Sequence, residues 1–141
     1  MPAVDTDVNA VKKMFEVNLF GPMRMVHHFH DMLIISAGTI VSIGSIGGVV
    51  PYMYGASYNA SKAALHHWSN TLRLEMSPFN VKVIVVISGE VGTNILKNDV
   101  HRELPEESYF SPLATDFKNH VLRTPRTTSR FEYAENVVTQ T

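Results

Sequence analysis

The chain has 141 residues, 45% of them hydrophobic and 18% charged, with a formal net charge of −1. That balance describes one globular domain spanning 1–141, and it argues against a disordered tail, a nucleic-acid binder or a protein drawn to an anionic membrane surface. The absence of cysteine excludes disulfides, thiolate zinc sites and cysteine nucleophiles, and no apolar run approaches the ~20 residues of a transmembrane helix.

Met1-Pro2-Ala3-Val4-Asp5 has neither the basic end nor the apolar stretch of a signal peptide, so a soluble, cytoplasmic protein is expected. Asp5 or Thr6 is placed to cap a helix beginning near Asp7. Val8, Val11, Met14 and Phe15, then Met25, Val26, Phe29, Met32 and Leu33, continue one apolar stripe at helical spacing. Met14, Met23, Met25 and Met32 are read as core residues of this helix. Ser36-Ala37-Gly38 ends it, and Thr39-Ile40-Val41-Ser42-Ile43 reads as a buried strand. Residues 44–51 form a glycine-rich loop. Residues 57–76 are helical again and stop at Ser77-Pro78. Val81-Lys82-Val83-Ile84-Val85-Val86-Ile87 is a second strand, expected to be covered on both faces. Beyond Gly89 the pattern weakens: short helices are expected at 100–104 and 111–121, a loop at 124–130, and the start of another helix at 133–138.

Helix, strand, helix, strand is the rhythm of an α/β protein with a parallel sheet. Two strands are too few for such a sheet, because buried parallel strands need neighbours on both sides. The expectation is therefore a partial, Rossmann-like, doubly wound domain without its first strands and its last strand.

Tyr58 and Lys62 stand four residues apart, on one face of the second long helix. A unit positive charge ~4 Å from a phenol is worth about 4 kcal/mol at an effective dielectric of ~20. That is about what moves a phenol from pKa ~10 toward ~7, where it can give or take a proton near neutrality. Taken alone, Tyr-x-x-x-Lys is more often an ordinary amphipathic pair. Ser45 changes the balance, because it lies just past the carboxyl end of the first strand, where open α/β sheets place ligands. Its hydroxyl can hydrogen-bond a carbonyl or alcohol, and Gly44, Gly47 and Gly48 permit a tight turn and close approach by a ligand. Asn18 adds a fourth group. Pro22 has no N–H, so the Asn18 carbonyl loses its helical partner and is free to hold a water that links Lys62 to solvent.

With these residues placed, the sequence resembles the short-chain dehydrogenase/reductase family over nearly its whole length. Val17-Asn18-Leu19-Phe20-Gly21 is similar to the family's asparagine helix. Ile43-Gly44-Ser45-Ile46-Gly47-Gly48 is similar to its serine loop, and Tyr58-Asn59-Ala60-Ser61-Lys62-Ala63-Ala64 to its tyrosine helix. The resemblance implies a three-layer fold in the full family and an NAD(P)-dependent oxidoreductase working on a carbonyl or alcohol. In the implied Ser-Tyr-Lys-Asn tetrad, Tyr58 is the general acid/base, Ser45 orients the substrate oxygen, and Asn18 holds a relay water. Lys62 assists the phenol and binds the nicotinamide ribose, so Tyr58 and Lys62 also belong to the cofactor site. In the run Ser88-Gly89-Glu90-Val91-Gly92-Thr93, the residues Gly89, Val91 and Thr93 match the family's cofactor-contacting segment, while Ser88 replaces its usual proline. Pro51-Tyr52, Leu72-Arg73-Leu74-Glu75 and Ser77-Pro78-Phe79 point toward fungal-type reductases related to 1-acyldihydroxyacetone-phosphate reductase, and with them NADP. The resemblance further implies a homodimer, or pairing with a full-length homologue, through the helices at 7–33 and 57–76. It assigns Glu106, Glu107, Tyr109 and Phe110 to a variable substrate region open to apolar or lipid-like compounds.

No glycine-rich strand-turn-helix stands before Asp7 to receive a pyrophosphate, and no closing strand follows Val138. The expected alternatives are a fragment of a reductase or a truncated, non-redox relative. The latter would be a cofactor-free proton-transfer catalyst (isomerase, dehydratase or cyclase) or an interaction module for a full-length homologue. The seven histidines, including His27-His28-x-His30 and His66-His67, lack a metal-binding spacing and read as surface or interface residues.

Overall fold

A computed structural model describes residues 1–95 and 100–141. Helix α1, Val8–Phe15, is capped by Asp7, whose carboxylate accepts from the Asn9 N–H. The capping residue is thus Asp7 and neither Asp5 nor Thr6, and the acidic side chain satisfies one of the unpaired donors of the first turn. The chain then widens into a π-helical turn, Glu16–Phe20, before α2, Gly21–Ile35. This turn lies just before Pro22, whose missing N–H interrupts the helical ladder. In it the Gly21 N–H donates to the Glu16 carbonyl, five residues back. With five-residue spacing, the missing Pro22 N–H falls opposite Val17; with four-residue spacing it falls opposite Asn18. The widened turn marks the boundary between the two registers.

α2 closes with Ala37 in the left-handed region (φ 46°) and the Gly38 N–H bonded to the Leu33 carbonyl, a Schellman-type stop. Strand β1, Thr39–Ile43, pairs in parallel with β2, Lys82–Val86, in the register Thr39↔Lys82 through Ile43↔Val86. Between them runs α3, Ala56–Met76, ended by the turn Ser77–Phe79 and a left-handed Asn80. Leu72 and Met76 of α3 meet Val81 and Val83 in the core, with Val26, Leu33 and Ile34 of α2 and Ile40 of β1 packed against them.

The helices cover one face of the sheet. In β1 only Ser42 is buried and Ile40 half-buried, while Thr39, Val41 and Ile43 are exposed. The expectation of a fully buried first strand is therefore overturned: its outer face and one edge have no neighbour among the described residues. β2 buries Val83 and half-buries Ile84, Val85 and Val86, so its cover on both faces is incomplete as well. The methionine reading also changes, since Met25 and Met32 are exposed and Met14 and Met23 only half-buried.

The carboxyl region adds α4, Ala114–Val121, and α5, Arg130–Gln140, close to the expected positions. No helix forms over 100–104, where Pro105 follows at once and disfavours helical geometry in the residue before it. Among the described residues, no helix is long and apolar enough to cross a membrane.

Candidate active site

Tyr58 sits in the first turn of α3 and Lys62 one turn later. The Lys62 Nζ donates to the carbonyl of Ile43, the last residue of β1, at 3.0 Å, and lies 5.9 Å from the centroid of the Tyr58 ring. The ammonium is therefore fixed at the carboxyl end of the strand, with two of its three donors left for other acceptors. Burial pushes the lysine pKa below its ordinary 10.5, because desolvation disfavours the charged form.

Asn18 projects from the π-helical turn onto the same stretch of α3. Its Nδ2 donates to Ser61 Oγ at 3.0 Å, and Ser61 Oγ donates to the Tyr58 carbonyl at 2.8 Å. Ser61 is completely buried (0% exposed), so this chain of hydrogen bonds joins the asparagine turn to the tyrosine helix through a dry contact. The sequence reading missed Ser61. Its signal was a small hydroxyl residue immediately before the lysine, at a position facing another helix.

Ser45 is buried at the start of the turn Ile46–Gly48, and its Oγ accepts the Gly47 N–H at 3.1 Å. The glycines around it form the expected tight turn, Ile46–Gly48. None has a positive φ, and the groups that approach them are side chains of the protein itself. A Cβ on Gly44 would lie 2.3 Å from His66 Nε2, and one on Gly48 would lie 2.5 Å from His66 Cε1. A Cβ on Gly47 would meet Asn59 at 2.7 Å and Tyr52 at 2.9 Å. A Cβ on any of these three glycines would therefore run into side chains of the protein itself.

His66 is the second residue missed. It is buried (8% exposed) rather than at the surface, and its Nε2 accepts the Ser45 N–H at 3.1 Å. Burial first, and the Lys62 charge second, push its pKa below the ordinary 6.5. Its neighbour His67 is exposed, as are His27 and His28. Among the described residues, no group of three histidines or acids is placed to hold a metal ion.

Beyond β2, the Ser88 carbonyl accepts the Ile46 N–H at 2.8 Å, which ties the serine loop to the run 88–93. The Ser88 hydroxyl contacts the Tyr133 hydroxyl of α5, so the residue in place of proline has a side-chain partner. Gly89 is exposed, with nothing within 4 Å of a Cβ built on it. Val91 forms a parallel bridge to Thr128, and Thr93 Oγ accepts from the Ile95 N–H at 3.4 Å. Lys62 thus links the Tyr58 ring to the carboxyl end of β1, just before Ser45, while Asn18 reaches the tyrosine turn of α3 through Ser61. Gly89, Val91 and Thr93 follow β2, and residues 90–92 are tied to Thr128 of the 124–130 loop.

The short chain dehydrogenase family profile matches residues 1–104. The short-chain dehydrogenase virD of Hypocrea virens is 84% identical over 99% of this chain and 49% of its own length. The NADPH-dependent 1-acyldihydroxyacetone phosphate reductase of Saccharomyces cerevisiae is 46% identical over 78% of this chain and 36% of its own. Among solved structures, a short chain dehydrogenase from Burkholderia cenocepacia in complex with NADP superposes with a TM-score of 0.66 at 25% identity, covering 99% of this chain and 57% of that one. The chain spans about half the length of the curated relatives it matches.

Proposed function

The chain belongs to the short-chain dehydrogenase family, and from that premise we propose that it is the catalytic half of an NADP-dependent oxidoreductase reducing a carbonyl or oxidising an alcohol. The observation that carries the reading is Lys62, anchored to the end of β1 with its charge beside the Tyr58 ring. Tyr58 delivers a proton to the substrate oxygen in reduction and removes one in oxidation. Ser45 orients that oxygen, and Asn18, braced by Ser61, keeps the tyrosine end of α3 in place beside the relay water.

The residues fit a nicotinamide nucleotide at its nicotinamide-ribose end. Lys62 has donors to spare, and Gly89 is open to close approach, with Val91 and Thr93 beside it. When bound, a reduced nicotinamide supplies the hydride that adds to the carbonyl carbon. Among the described residues, no glycine-rich strand-turn-helix offers a pyrophosphate site, so Tyr58, Lys62, Gly89, Val91 and Thr93 are assigned only to the nicotinamide end. The choice of NADP rests on the yeast relative named as NADPH-dependent and on the Burkholderia complex with NADP. The yeast relative, together with exposed Tyr109 and half-buried Phe110, supports an apolar or lipid-like carbonyl compound as substrate. Exposed Val8, Val17, Met25 and Met32 support pairing of the α1–α2 face with a second copy or a full-length homologue.

The test is NADPH consumption by the purified chain with a panel of medium-chain ketones and acylated dihydroxyacetones. Turnover is expected to fall about 10²–10⁴-fold in Tyr58→Phe, the range for losing a positioned acid/base. NADPH consumption unchanged in Tyr58→Phe, or its absence together with no NADPH binding by the folded chain, refutes the proposal.

A further inference from the structure

The glycine slot beneath Ser45 is filled by a side chain to which the reaction assigns no role. His66 rises from α3 two turns beyond Tyr58, and its ring enters the gap between Gly44 and Gly48. At Gly44 a Cβ would come within 2.3 Å of Nε2 and 2.8 Å of Cδ2; at Gly48 it would come within 2.5 Å of Cε1 and 2.8 Å of Nδ1. Both ends of the serine turn therefore lie against the ring at distances only glycine allows. Between them, the Ser45 N–H donates to Nε2 at 3.1 Å.

We propose that His66 is a positioning residue for Ser45: its unprotonated Nε2 holds the backbone of the serine loop and thereby sets where the Ser45 hydroxyl points. The inference rests on the reading of Ser45 as the residue that orients the substrate oxygen. An imidazole that accepts through Nε2 carries its proton on Nδ1, so the neutral ring has one defined tautomer here. The Ser45 hydroxyl already accepts the Gly47 N–H, which leaves its own hydrogen to be donated to an oxygen in the site. Anchoring the backbone at N and the hydroxyl at Oγ fixes both the main chain and the rotamer.

Protonation of His66 converts the Nε2 acceptor into a donor facing another donor, the Ser45 N–H, and breaks the anchor. Among the described residues, the charged and titratable groups that line the cleft at the ring lie on α3. Lys62 is one turn before it, and His67 and Arg73 line the same cleft of about 480 Å³. The loop side offers Gly44, Ser45, Gly48 and Val49, and the β2 side offers Val85, Val86 and Ile87, none of which titrates. The surrounding charge is therefore positive, and it favours the neutral ring.

The experiment is nuclear magnetic resonance on the whole ¹⁵N-labelled chain from about pH 5 to about pH 8, with Ser45 amide exchange measured in wild type, His66→Gln and His66→Phe. The expected result is an unprotonated Nε2 at the alkaline end and a Ser45 amide resonance that titrates together with the His66 ring. Glutamine restores an acceptor near the Nε2 position and phenylalanine does not. The Ser45 amide is therefore expected to exchange about three- to tenfold faster in His66→Phe than in wild type, the worth of one hydrogen bond, and to recover in His66→Gln. A proton found on Nε2 at neutral pH, or equal Ser45 exchange in wild type and folded His66→Phe, overturns the proposal. If His66→Phe does not fold, the tautomer and the shared titration in wild type decide the matter. None of these readouts depends on turnover, so they stand or fall separately from the oxidoreductase reading.

Discussion

The two long helices of this protein solve opposite packing problems. α3 buries Ser61, Leu65, His66, Ser69, Leu72 and Met76, while α2 buries no residue fully. The most deeply buried side chains of α3 are Ser61 and Ser69, both 0% exposed. Each is satisfied: Ser61 between Asn18 and the Tyr58 carbonyl, and Ser69 by a 2.9 Å bond to Ser42 of β1. α2 touches the core through Val26, Leu33 and Ile34, yet leaves Met32 66% and Ile35 87% exposed. The helix with the stronger apolar pattern is the looser one. The helix bearing the candidate chemistry is held by small polar residues that let it approach the strand and the asparagine turn closely. Close approach with paired hydroxyls fixes geometry better than bulky apolar contact, and a proton-transfer site needs that geometry.

The largest expected effect lies on α3. Leu65 is 2% exposed, and truncation to alanine leaves a cavity that rigid neighbours cannot fill. Leu65→Ala is expected to cost about 2–5 kcal/mol, read from denaturant midpoints at constant m-value. A cost below about 1 kcal/mol would mean that α3 is packed no more tightly than α2, and the comparison fails.

Next is the glycine slot. Gly44→Ala drives a methyl into the His66 ring, and overpacking of this kind costs about 1–3 kcal/mol. In a His66→Ala background the ring contacts are gone and only the Val86 carbonyl, 3.0 Å from the added carbon, remains, so the cost is expected to shrink. Additive costs in the double-mutant cycle would show that the ring and the glycine do not meet.

These residues also mark what was legible in the sequence. The neighbourhood of Tyr58 and Lys62 was legible because the two stand four residues apart and α3 makes that spacing geometric. The element order, the stop at Ser36-Ala37-Gly38 and the helices near 111–121 and 133–138 were legible from local punctuation for the same reason. His66, Ser61 and Ser69 were not, since a histidine beside a histidine or a serine within a helix has no pattern until a strand packs against it. The filling of the glycine loop was not legible for a related cause: glycine advertises room but not its occupant, and at Gly44 and Gly48 the occupant, His66, comes from 22 and 18 residues later on α3. Burial of β1 was overestimated, because an apolar run states what a strand tolerates and not how many neighbours it has.

The pH dependence of stability separates His66 from Lys62, two groups of α3 whose pKa values folding lowers. The folded chain holds His66 below 6.5, so between its folded value and 6.5 the unfolded chain binds more protons. That contribution is fully present above 6.5 and is lost as pH falls toward the folded value. Lys62 is held below 10.5, so stability rises with pH between its folded value and 10.5. His66→Gln should flatten the acid limb, and Lys62→Met the alkaline one, in denaturant midpoints followed across pH. Limbs unchanged in both variants would show that neither group is desolvated by folding.

The smallest expected effect is on the outer face of α2. The Met32 side chain is already mostly in water, and Met32→Ser removes little buried area. The backbone is held independently of that side chain, since the Met32 carbonyl accepts from the Ser36 N–H and hydroxyl. Helix propensity alone then sets the cost, about 0.5 kcal/mol or less. The proposed pairing through this face would add a term that depends on protein concentration, because association stabilises the folded chain by mass action. Met32→Ser should therefore be nearly silent in dilute solution and increasingly costly as concentration rises. A loss above about 1.5 kcal/mol that ignores concentration would place Met32 inside the folded protomer and erase the contrast between the two helices.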